Sequence, residues 1–136
     1  MILAGLSIAI LLSVAEHSKQ YSVDPYLVTS ILLVESGGKI DAYNERTKDY
    51  GLMQINEYHI KRGLDKKRLL SDPDYSIKHG VRILAYFKRF RGAEPQTWYC
   101  RYNVGTGKMI KGRLKRCLRY KRKVDRVYRK LRKGLI

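Results

Sequence analysis

The sequence is poor in acidic residues and in cysteine, and it has no long apolar run. Its 136 residues include 12 Asp and Glu against 29 Lys and Arg, which gives a formal net charge of +17. The longest apolar stretch, residues 1–15, is shorter than the roughly twenty residues that a membrane-spanning helix needs. A spanning helix is therefore not expected, and the positive charge predicts a polyanionic partner such as nucleic acid, anionic lipid or a charged cell wall.

The few cysteines and histidines show no spacing that is typical of a metal site. Cys100 and Cys117 would close a loop of about seventeen residues if oxidised, which is worth about 3 kcal/mol, and two buried free thiols are an equal alternative. The three histidines, His17, His59 and His79, are scattered without an HExxH pattern. We expect neither a metal nor a cofactor.

The apolar N-terminal segment, residues 1–15, has two interpretations. Residues 13–15 resemble the small-residue site at which signal peptides are cleaved, although the basic region that usually precedes the apolar stretch is absent. Alternatively, residues 7–20 form a helix that packs on the domain. Residues 16–136 are assigned to one domain, because no repeat, low-complexity stretch or linker divides them and their number fits a single core.

Start and stop signals predict that this domain is mainly α-helical. Asp24 and Pro25 are typical of a helix start, and glycine at position 37 stops the apolar helix that follows. Asp72 and Pro73 begin a second helix with an apolar face. Residues 37–57 mix polar, aromatic and glycine residues, which predicts a loop or a short β-hairpin that forms one wall of a cleft.

The C-terminal part of the chain predicts a short aromatic helix that ends at Gly105 and a long basic helix over residues 109–133. Its predicted inner stripe consists of Leu114, Cys117, Leu118, Val124, Val127, Tyr128 and Leu131. Residues 101–136 contain fifteen Lys and Arg but one acid, Asp125. This charge has two interpretations, a solvated helix face or a dedicated docking surface.

Glu35 is the acid whose position needs an explanation. It follows Leu27, Val28 and Ile31 at helical spacing, so the carboxylate shares a face with core residues. An acid near a helix end is often structural. If the carboxyl group is buried, however, loss of hydration raises its pKa, which suits a general acid near neutral pH.

Three motifs in register give the chain a family resemblance. They are VESGG at residues 34–38, GLMQIN at 51–56 and RYNVGTG at 101–107. In this order and spacing they resemble the lytic transglycosylase family, which is related in fold to goose-type lysozyme, over roughly residues 10–128. The chain is most similar to the small members that accompany secretion and conjugation machines or phage particles. The resemblance implies a lysozyme-like α+β fold with a glycan cleft.

The resemblance also implies roles for seven residues. In the family, the first motif supplies the catalytic acid and base, the second lines the sugar cleft, and the third supplies a tyrosine bonded to the glutamate and an asparagine that faces the glycan. These roles carry over to Glu35 with Ser36 beside it, to Gln54 with Met53 and Ile55 below it, and to Tyr102 and Asn103.

The third motif departs from the family pattern at its start. Cys100 and Arg101 stand where the family usually has small residues. Two roles for Arg101 are open: a cation near the cleft would favour the ionised form of Glu35, or it would bind a carboxylate of a peptide stem.

By resemblance the activity is cleavage of the β-1,4 bond between N-acetylmuramic acid and N-acetylglucosamine, with a 1,6-anhydro product. The implied partner is peptidoglycan. The protein would act on it as a monomer in the periplasm or cell wall, which it would reach by export, virion delivery or lysis. The basic C-terminal helix would bind an anionic envelope surface or secretion or virion machinery, with no nucleic acid required.

Two rival functions stay open. Asp41, Glu45 and Asp49 lie between the first two motifs, and a water positioned by one of them would make the protein a hydrolytic lysozyme. The rival from another class is a non-catalytic protein that binds nucleic acid or membrane phosphates through its basic helix.

Overall fold

The computed structural model of the protein describes residues 5–90 and 94–135. Within these ranges, seven α-helices and one three-stranded antiparallel sheet confirm the predicted mainly α-helical fold. Residues 1–4 of the apolar N-terminal segment lie outside the described residues. The helices are α1 (Ile8–Tyr21), α2 (Pro25–Ser36), α3 (Glu57–Ile60), α4 (Lys66–Ser71), α5 (Pro73–Arg89), α6 (Arg101–Val104) and α7 (Lys111–Arg132).

Helix α2 is the central element, and both of its predicted ends are confirmed. The side chain of Asp24 accepts a hydrogen bond from the backbone N–H of Tyr26 at 2.8 Å, and Pro25 occupies the first helical position. At the other end Gly37 adopts a left-handed φ of 64° and its N–H donates to the carbonyl of Leu33. The last residue of the helix, Ser36, therefore directly follows Glu35, which leaves the Glu35 side chain at an open end.

The middle of α2 is buried on nearly every side. Val28, Ile31 and Leu32 have no exposed surface. The hydroxyl groups of Thr29 and Ser30 donate to carbonyls one turn earlier in the same helix, so their burial leaves no unpaired donor. Helix α7 packs against α2, and α1 packs against α5 beside them. A helix held in this way is a rigid support for the acid at its end.

The described part of the apolar segment leads into helix α1, which packs on the rest of the protein. Cleavage of residues 1–15 as a signal peptide stays an open alternative. Leu6, Ile10 and Val14 are buried in the same core as α2. The His17 Nε2 atom lies 2.9 Å from the Asp74 Oδ1 atom, and this contact ties α1 to α5. None of the described helices combines the length and apolar character that a membrane crossing requires.

The predicted cleft wall is a sheet of three two-residue strands. They are β1 (Tyr43–Asn44), β2 (Asp49–Tyr50) and β3 (Ile55–Asn56), paired in the order β1-β2-β3. Tyr43 faces Tyr50 across the first ladder, and Tyr50 faces Ile55 across the second. Immediately after β2, Gly51 has a φ of 80°, and a Cβ atom there would overlap the backbone carbonyl of Leu69. This close approach fixes the turn that carries the second motif.

The inner stripe of α7 differs from the prediction. Cys117, Val124 and Leu131 are buried, as expected, but Leu114 and Leu118 are 40% and 39% exposed. Tyr120, which is absent from the predicted stripe, is 5% exposed. The reason is helical register: position 120 is three residues after Cys117 and four before Val124, so it lies on their side of the helix.

Two further features complete the C-terminal region. The predicted aromatic helix begins as a 3-10 turn at Trp98–Cys100 and continues as α6. Cys100 and Cys117 form a disulfide, which resolves the open choice between a loop closure and free thiols. The bond joins the start of α6 to the first half of α7. It therefore links the third motif covalently to the helix that packs on α2.

We predict that Gly51→Ala lowers the free energy of unfolding by more than about 2 kcal/mol, because it combines a left-handed φ with a backbone overlap. Chemical denaturation measures this change. Gly112→Ala is the matched control, since Gly112 lies in α7 with only the far end of the Arg116 side chain within 4 Å. That control should be neutral or stabilise by up to about 1 kcal/mol. Equal losses in both variants would contradict the role assigned to Gly51.

Candidate active site

An open groove of about 680 Å³ runs between the C-terminal end of α2 and the sheet. Its polar lining combines one acid from the helix with side chains of the β1–β2 hairpin. The lining residues are Glu35, Ser36, Ala42, Tyr43, Asn44, Glu45, Arg46 and Gln54. The short sheet is therefore the predicted cleft wall, and the end of α2 supplies the chemical group opposite it.

Glu35 lies in the last turn of α2 and is half-buried. The Tyr120 hydroxyl group donates a hydrogen bond to the Glu35 Oε2 atom over 2.8 Å. Tyr120 belongs to α7, which packs against α2, so the contact between the two helices sets this distance. The carboxyl group is held in one orientation and still borders the groove.

The surroundings of Glu35 raise its pKa from 4.5 to about 7. Loss of hydration is the largest cause, because a charged carboxylate is costly to bury. The hydrogen bond from Tyr120 acts in the opposite direction and stabilises the ionised form. The negative charge of Asp49 raises the pKa further, and the positive charge of Lys123 lowers it. As a result, both protonation states of Glu35 are accessible near neutral pH.

Two of the predicted binding residues border the groove beside Glu35. The Ser36 hydroxyl donates to the carbonyl of Leu32 and accepts from the N–H of Gly38. Gln54 has a positive φ of 49°, and its side-chain amide donates to the carbonyls of Ala42 and Gly51. No group in the described part of the chain donates to the Gln54 Oε1 atom, which leaves an acceptor at the groove.

The other predicted binding residues do not line the groove in the described structure. Met53 and Ile55 are buried in the core beneath it, and Asn103 is exposed. The expected hydrogen bond from Tyr102 to Glu35 is wrong, since the Tyr102 hydroxyl donates to the carbonyl of Met53 at 2.7 Å. A tyrosine hydroxyl has one hydrogen to donate, and here the backbone of the second motif takes it.

Tyr120 makes the hydrogen bond to Glu35 that the family resemblance implied for Tyr102. Tyr120 is buried and Tyr102 is half-buried, and loss of hydration raises the pKa of each hydroxyl group, so both keep their protons. The sequence contained a signal for Tyr120: it lies at i+3 from Cys117 and i−4 from Val124 on the apolar side of the basic helix. The missing information was that this side meets the end of α2.

Of the two roles expected for Arg101, the effect on Glu35 is wrong, since Arg101 is not among the charges that shift the pKa of Glu35. Binding of a peptide-stem carboxylate by Arg101 stays a prediction. Its side chain is 4% exposed, and its guanidinium donates to the carbonyls of Gly105 and Gly107 at 3.1 and 2.9 Å. A further contact of 3.5 Å joins it to the carboxylate of Glu94. The guanidinium is therefore turned toward the loop after α6, where it shapes the third motif, and Lys123 is the cation that acts on Glu35.

One cluster outside the groove has the residue types of a metal site. Ligand atoms of Glu16, His17 and Asp74 lie within 4.8 Å of one another. The Asp74 Oδ1 atom already accepts a hydrogen bond from Ser13 at 2.8 Å and contacts His17. These bonds account for the arrangement as a link between two helices. The expectation of no metal stays a prediction.

The fold and the groove with its half-buried acid define a lysozyme-like protein. Residues 13–124 match the family model of the transglycosylase SLT domain, and the chain belongs to this family. The match spans the three motifs and extends from α1 to Val124 in α7. The chain is thus a lytic-transglycosylase-like protein of a family that acts on peptidoglycan.

Several curated proteins are similar to most of this chain. A peptidoglycan-binding-like protein of Escherichia coli O157:H7 is 36% identical over 130 residues, which cover 85% of this chain and 75% of the relative. Invasion protein IagB of Salmonella typhimurium is 33% identical over 126 residues, with 86% and 75% covered. Protein IpgF of Shigella flexneri is 34% identical over 107 residues, with 71% and 68% covered. No solved structure gives a significant match.

We predict that Tyr120→Phe raises the pKa of Glu35 above its value of about 7 in the unaltered protein, because the hydrogen bond that stabilises the carboxylate is lost. Titration of the carboxyl group by carbon-13 NMR measures the shift. Tyr102→Phe is the matched control, since that hydroxyl donates to Met53, and it should leave the titration almost unchanged. A larger shift in the control than in Tyr120→Phe would show that the two assignments are reversed.

We also predict that Glu35→Gln gains stability over the unaltered protein as the pH rises. The pKa of Glu35 is higher in the folded protein than its ordinary 4.5, so ionisation opposes folding increasingly between about pH 4.5 and pH 7. The glutamine variant lacks this penalty. Thermal melts at about pH 4 and about pH 8 should show its relative melting temperature increasing between the two. Exposed Glu45→Gln should show a smaller change, and a flat difference for Glu35→Gln would contradict the assignment.

Proposed function

We propose that the protein is a peptidoglycan lytic transglycosylase, which cleaves the β-1,4 bond between N-acetylmuramic acid and N-acetylglucosamine and forms a 1,6-anhydromuramoyl product. The observation that carries this proposal is the Glu35 carboxyl group, half-buried at the groove, with a pKa of about 7 and a hydrogen bond from Tyr120. Membership of the SLT family supports it.

In the first step, protonated Glu35 donates its proton to the bridging oxygen as the bond from that oxygen to C1 breaks. Positive charge develops at C1, and in this family the acetamido group of the muramoyl sugar assists from the opposite face. Glu35 becomes a carboxylate at this point. The Tyr120 hydroxyl and the charge of Lys123 both stabilise it, since both favour the ionised form.

In the second step, the Glu35 carboxylate removes the proton of the C6 hydroxyl group, and that oxygen forms a bond with C1. The poorly hydrated site makes the carboxylate a stronger base than it is in water, because burial favours its return to the neutral form. The proton that Glu35 donated is thereby recovered. No water is consumed, so the reaction needs one catalytic carboxyl group instead of the usual two.

The substrate-binding residues are part of the same proposal. Ser36 and Gln54 border the groove, and the free Oε1 atom of Gln54 is an acceptor for a sugar hydroxyl or amide group. Met53 and Ile55 support this wall from the core, and the hydroxyl of Tyr102 holds it through the carbonyl of Met53. Contact of exposed Asn103 with the glycan is a proposal that rests on the family motif alone.

Hydrolysis is the second candidate, because another acid borders the groove. Glu45 lies in the lining together with Glu35, whereas Asp49 is engaged by Thr47 and Asn56 at 2.6 and 2.9 Å. A water activated by Glu45 would attack C1 in place of the C6 hydroxyl and give a reducing end. The two outcomes differ by one molecule of water in the product.

The site of action follows from the substrate. Peptidoglycan lies outside the cytoplasm, so we propose that the protein works in the periplasm or wall. Export, delivery by a particle or release by lysis would bring it there. Two relatives are named as a peptidoglycan-binding-like protein and an invasion protein, which supports a wall enzyme of an invasion apparatus. The proposed working form is a monomer.

The test is digestion of purified sacculi followed by mass spectrometry of the soluble products. We predict that the unaltered protein releases anhydromuramoyl fragments and that Glu35→Gln lowers the rate by at least about a hundredfold, since the acid and the base are lost together. Glu16→Gln, on the exposed side of α1, is the matched control and should retain full activity.

Two results would decide against the proposal. Unchanged digestion by Glu35→Gln would remove the catalytic assignment. Products that carry only reducing ends, and that disappear in Glu45→Gln, would establish hydrolysis with Glu45 as the second acid.

The pH dependence of the activity is a further check. Activity that falls as the pH rises above about 7 would agree with protonated Glu35 as the first reactant.

A further inference from the structure

The outward face of α7 carries a row of exposed cations. Lys115, Arg119, Arg122 and Arg126 are spaced by three or four residues, so they lie along one side of the helix. Among the described residues, none of these four takes part in a salt bridge, and the acid of this helix, Asp125, contacts Lys121 instead. Their charges are therefore uncompensated and face solvent over several turns.

Apolar side chains border this cationic row at its N-terminal end. Ile110, Leu114 and Leu118 are separated by four residues each, and their exposed fractions are 56%, 40% and 39%. No core contact explains why three large apolar residues recur at this spacing on an exposed side. Cations beside exposed apolar residues are typical of helices that lie on an anionic membrane, where the charges meet headgroup phosphates and the apolar groups enter the interface.

The exposed cations of α7 and the residue that reaches the groove lie on different sides of the helix. Tyr120 reaches Glu35 from the inward side, on which Cys117 and Val124 are also buried. Arg119, Arg122 and Arg126 point away from that side, because the helix turns by about 100° per residue. A surface bound to these cations would leave the contact between Tyr120 and Glu35 undisturbed.

We propose that the outer face of α7 is a docking site for anionic phospholipid. The face comprises Ile110, Leu114 and Leu118 together with Lys115, Arg119, Arg122 and Arg126. It binds phosphate-bearing headgroups while the groove stays open to glycan, so the protein works next to a membrane. Nucleic acid and wall polymers offer anions without an apolar layer, and they leave the exposed apolar residues unexplained. Binding does not depend on glycan cleavage and is measured with the Glu35→Gln protein.

The test is co-sedimentation of this protein with vesicles of phosphatidylglycerol and phosphatidylcholine, and with vesicles of phosphatidylcholine alone. We expect binding to the anionic vesicles only. Replacing Lys115, Arg119, Arg122 and Arg126 together by Gln should lower the partition coefficient by at least about a hundredfold, because each of the four cations near an anionic surface contributes about fivefold. The matched control removes the same charge at exposed positions elsewhere, namely Lys19, Lys39, Lys61 and Lys67, and should lose much less.

A second variant tests the apolar part of the face. Leu114→Gln with Leu118→Gln should weaken vesicle binding at high salt, where charge interactions are screened, and should leave the protein folded because both side chains are exposed. The proposal is wrong if the protein does not bind anionic vesicles at low salt. It is also wrong if the fourfold α7 variant and the fourfold control variant lose equal affinity for these vesicles. It is also wrong if the α7 substitutions abolish binding to duplex DNA or sacculi but leave vesicle binding intact.

Discussion

The hydrogen bond between Tyr120 and Glu35 is the interaction on which the arrangement of the site depends. It joins residues that are 85 positions apart in the chain, and it forms because the end of α2 and the inner side of α7 are packed together. The same hydrogen bond limits the increase in the pKa of Glu35 that burial causes. Without a donor, a carboxyl group in this position would hold its proton more tightly, and ionisation at neutral pH would be rarer.

The core determines how accurately this bond is held. Helix α2 is buried over most of its length, and the hydroxyl groups of its buried residues Thr29 and Ser30 are satisfied within the helix, so its end is not free to shift. The second motif is fixed from below by close packing, since a Cβ atom at Gly80 would lie 2.7 Å from the Cβ atom of Met53. The groove is thus open to solvent, while the atoms that shape it belong to a dense interior.

Local signals in the sequence predicted the local structure well. Asp24 and Asp72 begin helices as their chemistry requires, and the mixed composition of residues 37–57 predicted a loop or a short β-hairpin where the sheet lies. Helices α3 and α4 were not predicted, because with four and six residues they are too short to show a periodic pattern. Glu35 could be identified as unusual because an acid shared a face with core residues.

The errors concern contacts between distant elements. The family motif indicated that a tyrosine bonds to the glutamate, but nothing local distinguishes Tyr102 from Tyr120 as the donor. Arg101 shows the same limit, since a cation beside a cleft motif does not reveal that carbonyls of its own loop surround it. On α7, the pattern of charged residues did not reveal which apolar residues face the core. The donor to Glu35, the partners of Arg101 and the buried side of α7 all depend on packing between elements, which residue spacing does not determine.

The disulfide between Cys100 and Cys117 adds a dependence on the compartment in which the chain folds. Its second cysteine lies less than one turn before Tyr120, so the cross-link also anchors the helix that supplies the donor to Glu35. Thiols stay reduced in the cytosol of most cells and oxidise outside it. In a reducing compartment α7 would therefore be held by packing alone, and the covalent restraint is added only where thiols oxidise.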